Sequence, residues 1–295
     1  MGERRDRKQV HVQLGGDLGN QMFEYAAGRA LATRLDAALT LVTQYFGPDG
    51  KGRTELEPFG LDAAVVARWP IEPRRFRWKP LRWAAARWRD HRYGCKLPIF
   101  QEPHFHVTDR FFTIADSCYV AGYWQSWRYF DAIAERIRDD LDLGRFAGPT
   151  IADTLAEIES RPTVAVHVRR GEYVDAPAFF HLCGRDYYDR ARHALDGADE
   201  GLHYLVFSDE PVAARALLGD WPDCTFVGGN TPYEDMLLIS RCRHFIIANS
   251  TFSWWAAWLG AVMGSRVIAP RQWFARERQS RVDIGDLYPA DWTAL

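Results

Sequence analysis

The sequence predicts an α/β protein folded as two doubly wound parallel sheets facing each other across a cleft. Three observations predict it. From residue 162 onward, short apolar runs alternate with helical patterns at the spacing of successive β-α-β units. The N-terminal part opens in the same way, with an apolar run, a glycine turn, a long helical pattern and a second apolar run. The chain has 295 residues and 47% hydrophobic content, enough to bury two cores.

In order along the chain, "VHVQL" reads as a strand and "GGDLGN" as a turn. A helix follows from about Gln21 to Arg34, with Met22, Ala26 and Ala30 at spacing four beside Phe23, Ala27 and Leu31. Its small residues, Ala26, Ala27, Gly28 and Ala30, allow close packing on a sheet, and "LTLV" is the next strand. The Arg- and Trp-rich stretch 74–96 has two readings. It is either a basic helix whose tryptophans pack under arginine stems, or a patch for peripheral contact with a membrane surface or anionic acceptor. "CYVAGYW" reads as a strand, and "YFDAIAERIRDDLDL" as an amphipathic helix with Ile133, Ile137 and Leu141 inward. The acids of its "DDLD" face solvent in this reading and hold no metal. "GRFAGPT", residues 144–150, is the expected linker, dividing the chain into 1–150 and 151–295.

The second half reads regularly. Strands "TVAVHV", "LHYLVFS", "CTFVGG", "HFIIAN" and "RVIAP" alternate with helices near 185–197, 211–218, 232–241 and 252–262. Thr231, Pro232 and Glu234 form a capping box for the third helix. Parallel strands connected in this way are covered on both faces, so their ends are where ligands reach them.

Bulk properties exclude several functions. A net charge of −2 argues against nucleic acid, so any anion site must be local. Five scattered cysteines without a CxxC pair suggest neither a disulfide framework nor a zinc site. The start "MGERRDRKQV" lacks an apolar h-region, and no stretch reads as a membrane span, which gives a cytoplasmic expectation. GxGxxG and GxxxxGK[ST] are both absent, which disfavours a dinucleotide enzyme and a P-loop NTPase.

Two stretches carry the candidate chemistry. "HVRRGEYV" follows the buried run "TVAV", so His167, Arg169, Arg170 and Glu172 fall at a strand end. Guanidinium forks match phosphate oxygens bidentately, and pyrophosphate is the natural ligand for such a pair. In strand alternation His167 and Arg169 share a face and Arg170 takes the other, so one arginine is expected on phosphate and one on an acid. "NSTFSWW" also follows a strand and opens a helix; hydroxyls and free N–H groups of Asn249, Ser250, Thr251, Phe252 and Ser253 suit an anion. Trp254, Trp255 and Trp258 behind them read as packing residues. Asp209 in "FSDE" is either an acceptor for a ribose hydroxyl or guanine edge, or the N-cap of the helix at Pro211. In the first half, the turn holding Gly16, Asp17, Asn20 and Gln21 brings backbone close to a ligand.

These segments together resemble the α-1,2-fucosyltransferases of glycosyltransferase family 11. The matching segments are "GDLGNQMFEYAAGRALA", "HVRRGEYV", "GYWQSWRYF", "FSDE", "YEDMLLISRCRHFIIANSTFSWWAAWLG", "VIAPRQWF" and "LYPADW", which span nearly the whole chain in order. The resemblance implies a GT-B-like pair of Rossmann-like domains, with residues 1–150 mainly on the acceptor side and 151–295 binding GDP-fucose. It implies transfer of L-fucose, with inversion, to the 2-hydroxyl of a galactose ending an oligosaccharide or lipid-linked glycan. It implies neither cofactor nor metal, and makes the chain an enzyme at the cytoplasmic face of surface-glycan synthesis. By position it assigns the donor phosphates and the strand-end architecture to His167, Arg169 and Arg170, and the pyrophosphate and nucleotide to Ser250, Thr251, Phe252 and Ser253. With the residues read above, the expected donor set is Gly16, Asn20, Gln21, His167, Arg169, Arg170, Asp209 and Asn249–Ser253, and the expected catalytic set is Arg169, Arg170, Glu172 and Asp17. Asp17, Glu24 and Glu172 stand where the family usually has glycine, glutamine and aspartate. Glu172, Asp17, Glu24 and Asp175 are the candidate bases, and Glu172, close to two arginines, reads as a brace ahead of a base. A transferase for another GDP-sugar, and a catalytically silent glycan-binding protein of the same fold, are the competing readings.

Overall fold

The computed structural model describes residues 7–43, 54–66 and 97–295. The chain divides into two units, Met1–Ala134 and Glu135–Leu295. Each holds a wholly parallel sheet. In the first unit the strands are β1 (Gln9–Gln13), β2 (Ala38–Val42), β3 (Ala64–Val66), β4 (Ile99–Gln101) and β5 (Cys118–Ala121), in the order β3-β2-β1-β5-β4. In the second they are β6 (Thr163–Val168), β7 (His203–Ser208), β8 (Cys224–Phe226), β9 (His244–Ile246), β10 (Val267–Ala269) and β11 (Thr293–Ala294), in the order β11-β10-β9-β6-β7-β8.

These orders decide where a ligand can go. In each sheet the first strand lies centrally and the chain builds outward on one side before crossing to the other. The order reverses between β1 and β5 in the first unit, and between β6 and β9 in the second. At such a switch point the connections leave in opposite directions and open a crevice outside the carboxyl ends of the strands. All six residues of β6 are buried, as expected of a central parallel strand with both faces covered.

The helix of the first unit runs Leu18–Leu35 and ends at Asp36, whose backbone is left-handed at φ 50 and donates its N–H to Ala32 O and Thr33 O. It packs tightly on β1 because Gly28 has no side chain: a Cβ there would overlap Cγ2 of Val12. In the second unit the capping box at Thr231 forms as the sequence predicts, the Thr231 side chain accepting from Glu234 N and the Glu234 carboxylate from Thr231 N. Trp254, Trp255 and Trp258 are buried packing residues, and the Trp254 indole donates to Leu287 O at 2.9 Å.

Two expectations change. The amphipathic helix expected from Tyr129 begins as short 3-10 turns at Trp127–Tyr129 and Asp131–Ile133, and is α-helical only over Ala134–Asp140. Phe130 interrupts it at φ −128, ψ 8, with its ring buried 6.2 Å from that of Phe23. Residues 144–150 do not act as a free linker. They form further 3-10 turns, Leu143–Phe146 and Pro149–Ile151, and Phe146 stacks on Tyr233 at 4.8 Å. That packing attaches the segment to the second unit, so the division falls after Ala134 rather than after residue 150. The Arg/Trp stretch 74–96 lies outside the described residues. Among the described residues no helix is long and apolar enough to cross a membrane.

Gly28→Ala is expected to lower stability by about 1–3 kcal/mol, because the new methyl must separate the helix from β1. Thr33→Ala, on the exposed side of the same helix, should stay within about 0.5 kcal/mol. Urea unfolding of the two variants checks the contrast.

Candidate functional site

The second unit's site grows from the end of β6. Past Val168 the chain turns into a short helix, Gly171–Asp175, and the turn is held by one carboxylate from the neighbouring strand end. Asp209, just after β7, accepts the Arg170 backbone N–H at 2.9 Å on one oxygen and pairs with Arg169 Nη1 at 3.2 Å through the other. Gly171 is required beside it, since a Cβ there would overlap Asp209 Oδ2. The Ser208 hydroxyl ties the two strand ends together by donating to Val168 O at 2.7 Å. Asp209 is therefore not the N-cap of the following helix. Glu210 occupies that position, and its N–H goes to the Ser208 hydroxyl at 3.0 Å.

The two arginines diverge, although both lie past the end of the strand, where its alternation no longer sets their directions. Arg169 lies over the Tyr173 ring, 5.4 Å from its centroid, and pairs with both Asp209 and Glu172. Arg170 turns inward and donates from Nη2 to Cys183 O at 3.1 Å. Glu172 meets Arg169 Nη2 at 3.3 Å and is otherwise open to solvent. His167 is buried, its ring 5.6 Å from that of Phe252, and Nδ1 has no hydrogen-bond partner. Burial, with Arg169 adding to it, pushes its pKa down to about 3, so it carries no charge at neutral pH.

The strand next to β6 at the switch point is β9, and the helix Thr251–Gly260 starts just beyond it. The first N–H bonded inside that region is that of Trp254, to Ser250 O at 3.0 Å. The N–H groups of Thr251, Phe252 and Ser253 thus form the orphan set at the positive end of a helix. The side chains around them do less than the sequence suggested. Asn249 is buried, and its amide donates to His181 O and Trp273 O, both at 2.8 Å, while its oxygen takes the Cys183 thiol at 3.5 Å. Ser253 is also buried and bonds back to Ser250 O at 3.2 Å. Both are braces whose polar atoms are already occupied; Ser253 keeps its backbone N–H for a ligand. Tyr173 joins the two strand ends, its hydroxyl donating to Asn249 O at 2.9 Å.

In the first unit, Gly15 to Gln21 follow β1 at that sheet's own switch point. Gly16 has φ +68, and a Cβ there would also overlap the Asn20 amide. Asp17 is the exposed N-cap of the helix, with no side-chain cap bond. Gln21 is fully occupied: Nε2 donates to Gly16 O at 3.0 Å, and Oε1 accepts from the Thr54 hydroxyl at 2.7 Å and from Glu55 N at 3.0 Å. Asn20 Oδ1 receives the Gln125 amide at 2.8 Å. Glu24, which the sequence offered as a base, is buried and accepts the Gly15 N–H at 2.8 Å. Burial holds its pKa well above the usual carboxylate range against that N–H, and the nearby Glu102 carboxylate adds to the rise. Glu102 had no signal in the sequence. It closes the turn after β5 by accepting from Tyr123 N at 2.8 Å and Trp124 N at 3.2 Å, with Trp124 at φ 54.

The structure therefore gathers His167, Arg169, Arg170, Glu172, Asp209 and the 249–253 turn around one switch point, and Gly16, Asp17, Asn20 and Gln21 around another. Asp175 is exposed on the short helix. Among the described residues no group of three or more His, Cys, Asp or Glu could hold a metal ion.

The family model for glycosyl transferase family 11 matches residues 99–295. The chain belongs to glycosyl transferase family 11. Among relatives of this family-11 glycosyltransferase, an α-1,2-colitosyltransferase of Escherichia coli is 29% identical over 293 residues, covering 93% of this chain and 95% of its own. The O-antigen biosynthesis glycosyltransferase WbnK of the same species is 28% identical, over 92% of this chain and 97% of its own. The galactoside 2-α-L-fucosyltransferase Sec1 of Mus musculus is 25% identical, over 84% and 63%. The two parallel α/β units are what a GT-B-like reading requires of each half of a family-11 chain.

The Glu24 proton can be weighed. Its folded pKa lies above the ordinary 4.5, so the folded chain binds more protons than the unfolded one as pH rises past that value. Stability linked to Glu24 is full at low pH and is lost as pH climbs toward the folded pKa. Glu24→Gln removes that loss. Its advantage over wild type should grow above pH 4.5 by at most about 1.4 kcal/mol per pH unit. Urea midpoints from pH 4.5 to 8 measure this; a variant that loses ground as pH rises would mean an ionised Glu24.

Proposed function

We propose that this glycosyltransferase moves L-fucose from GDP-fucose to the 2-hydroxyl of a terminal galactose, inverting the anomeric carbon. The observation that carries the reading is the meeting of Arg169, Arg170 and the N–H-lined start of helix Thr251–Gly260 at one switch point. Guanidinium forks and orphan N–H groups there suit a nucleoside diphosphate. Family membership supports the same reading. The second unit then takes the donor and the first the acceptor, a galactose-terminated oligosaccharide or lipid-linked glycan.

In the displacement, the galactose O2 attacks C1 while the bond from C1 to the β-phosphate oxygen breaks, and GDP departs with the bonding pair. Negative charge grows on the pyrophosphate, and charge fixed in advance beside it lowers the barrier. The two guanidiniums and the helix-start N–H groups supply that charge without a metal ion. His167, neutral and buried, adds none and serves as packing for Phe252. The acceptor proton passes to Asp17, to another exposed acid or to solvent late in the step.

One observation favours a second donor. The relative with 29% identity over almost the whole chain is a colitosyltransferase. Colitose is fucose without its 3-hydroxyl, so the two donors differ by one hydrogen-bonding group. A site that binds that hydroxyl rejects the deoxy sugar strongly, whereas one that ignores it discriminates little.

The decisive measurement is transfer from GDP-fucose, GDP-colitose and GDP-mannose to galactosides, with the product linkage mapped and EDTA present or absent. We expect GDP-fucose to donate to O2 with EDTA present. Preference for GDP-colitose would move the donor, and loss of activity on chelation would end the metal-free mechanism. Arg170→Ala should lower kcat/KM about 10²-fold or more by removing one fixed charge from the departing GDP.

A further inference from the structure

Two carboxylates share the Arg169 guanidinium, and they are not equivalent. Asp209 is anchored: one oxygen holds the Arg170 N–H at 2.9 Å, the other holds Arg169 Nη1 at 3.2 Å, and Gly171 leaves it just enough room. Its side chain is 22% exposed. Glu172 is 60% exposed and reaches Arg169 through one contact of 3.3 Å to Nη2. It sits three residues on, in a short helix, with no second bond to fix it. An exposed pair of this kind contributes little and is easily exchanged for a better anion.

We propose that Glu172 is an internal stand-in for the donor's pyrophosphate. It covers the Nη2 side of Arg169 in the empty chain and swings off when the diphosphate binds, while Asp209 stays and keeps the guanidinium aimed. The inference rests on the reading of this site as a nucleoside-diphosphate site. A phosphate that takes the Arg169 fork bidentately needs the side that Glu172 occupies. Left in place, the Glu172 carboxylate would face a polyanion across a single guanidinium, and its exposure gives it a free path into solvent. Tyr173 steadies the arginine during the exchange, since its ring lies under the guanidinium, stacks on Phe180 at 4.0 Å and is tied to Asn249 O. Glu172 is then a competitor of the donor, neither a ligand nor a base, and Asp209 is a positioning residue.

The two acids should respond to substitution with opposite signs. Calorimetric titration of the full chain with GDP, repeated with inorganic pyrophosphate, compares wild type with Glu172→Gln, Glu172→Ala and Asp209→Asn. Both Glu172 variants should bind GDP about threefold to fivefold tighter, in line with release of an exposed ion pair. Asp209→Asn should bind GDP more weakly, and its urea midpoint separates lost aim from lost folding. Unchanged or weaker GDP binding in both Glu172 variants overturns the stand-in role. So does a large fall in kcat at unchanged GDP affinity, which would make Glu172 a base. If no variant, wild type included, binds GDP or pyrophosphate, the nucleotide reading itself fails and the stand-in role with it.

Discussion

Two adjacent arginines at the mouth of a fully buried strand need a counter-charge, and the carboxylate of Asp209 provides it. One oxygen holds backbone and the other holds a guanidinium, so a single side chain fixes both the turn after β6 and the direction of Arg169. Breaking one partner of a partly buried pair leaves the other charge poorly solvated, which is why such a contact governs its surroundings. From it the rest follows: Gly171 must be glycine, Arg170 is turned toward Cys183 O, and Tyr173 lies where it can reach Asn249. Three strand ends, those of β7, β6 and β9, are thereby joined by polar contacts around the switch point.

Much of this was legible in the sequence where local rules decide. The run "TVAVHV" is β6 residue for residue, and the helices at 211–218 and 232–241 were read with their boundaries. The capping box was readable because all its partners lie within four residues. What failed depends on distant partners. Asp209 reads either as an acceptor for a ribose or guanine group or as a cap, and only the pairing of β6 with β7 brings it to Arg169 and the Arg170 N–H. Asn249 and Ser253 suit an anion by their polar side chains, and sequence gives no hint that the Asn249 amide is engaged by residues 181, 183 and 273. The linker at 144–150 has the composition of a loop, but Phe146 finds Tyr233 nearly ninety residues away. Glu102 gave no sign, since its partners are backbone N–H groups of a turn at 123–124.

The two units handle titratable groups at their strand ends by the same physical means. In the second, burial beside an arginine pushes the His167 pKa down to about 3; in the first, burial, with another carboxylate adding to it, raises the Glu24 pKa. In both, burial favours the neutral form, because an isolated charge in a dry interior is costly. The ionisable groups at the rim are Arg169, Asp209 and Glu172, with side chains between 22% and 60% exposed, and Asp17, also exposed.

That division bears on how, under the proposed reading, a chain of net charge −2 would attract a polyanion. The overall field offers nothing, so attraction must come from a few fixed positive groups within a Debye length of the strand ends, about 8 Å in physiological salt. Two guanidiniums and one helix start meet that need only while nearby acids do not cancel them. Asp209 partly offsets Arg169 but spends one oxygen on backbone. Glu172 offsets it further, and only weakly, from an exposed perch. Under the proposed reading, the site is close to neutral while Glu172 covers Arg169 and gains about one positive charge when that carboxylate swings away. Such a site has little pull on stray anions, and its charge emerges only for a ligand able to take the arginine fork and the helix start together.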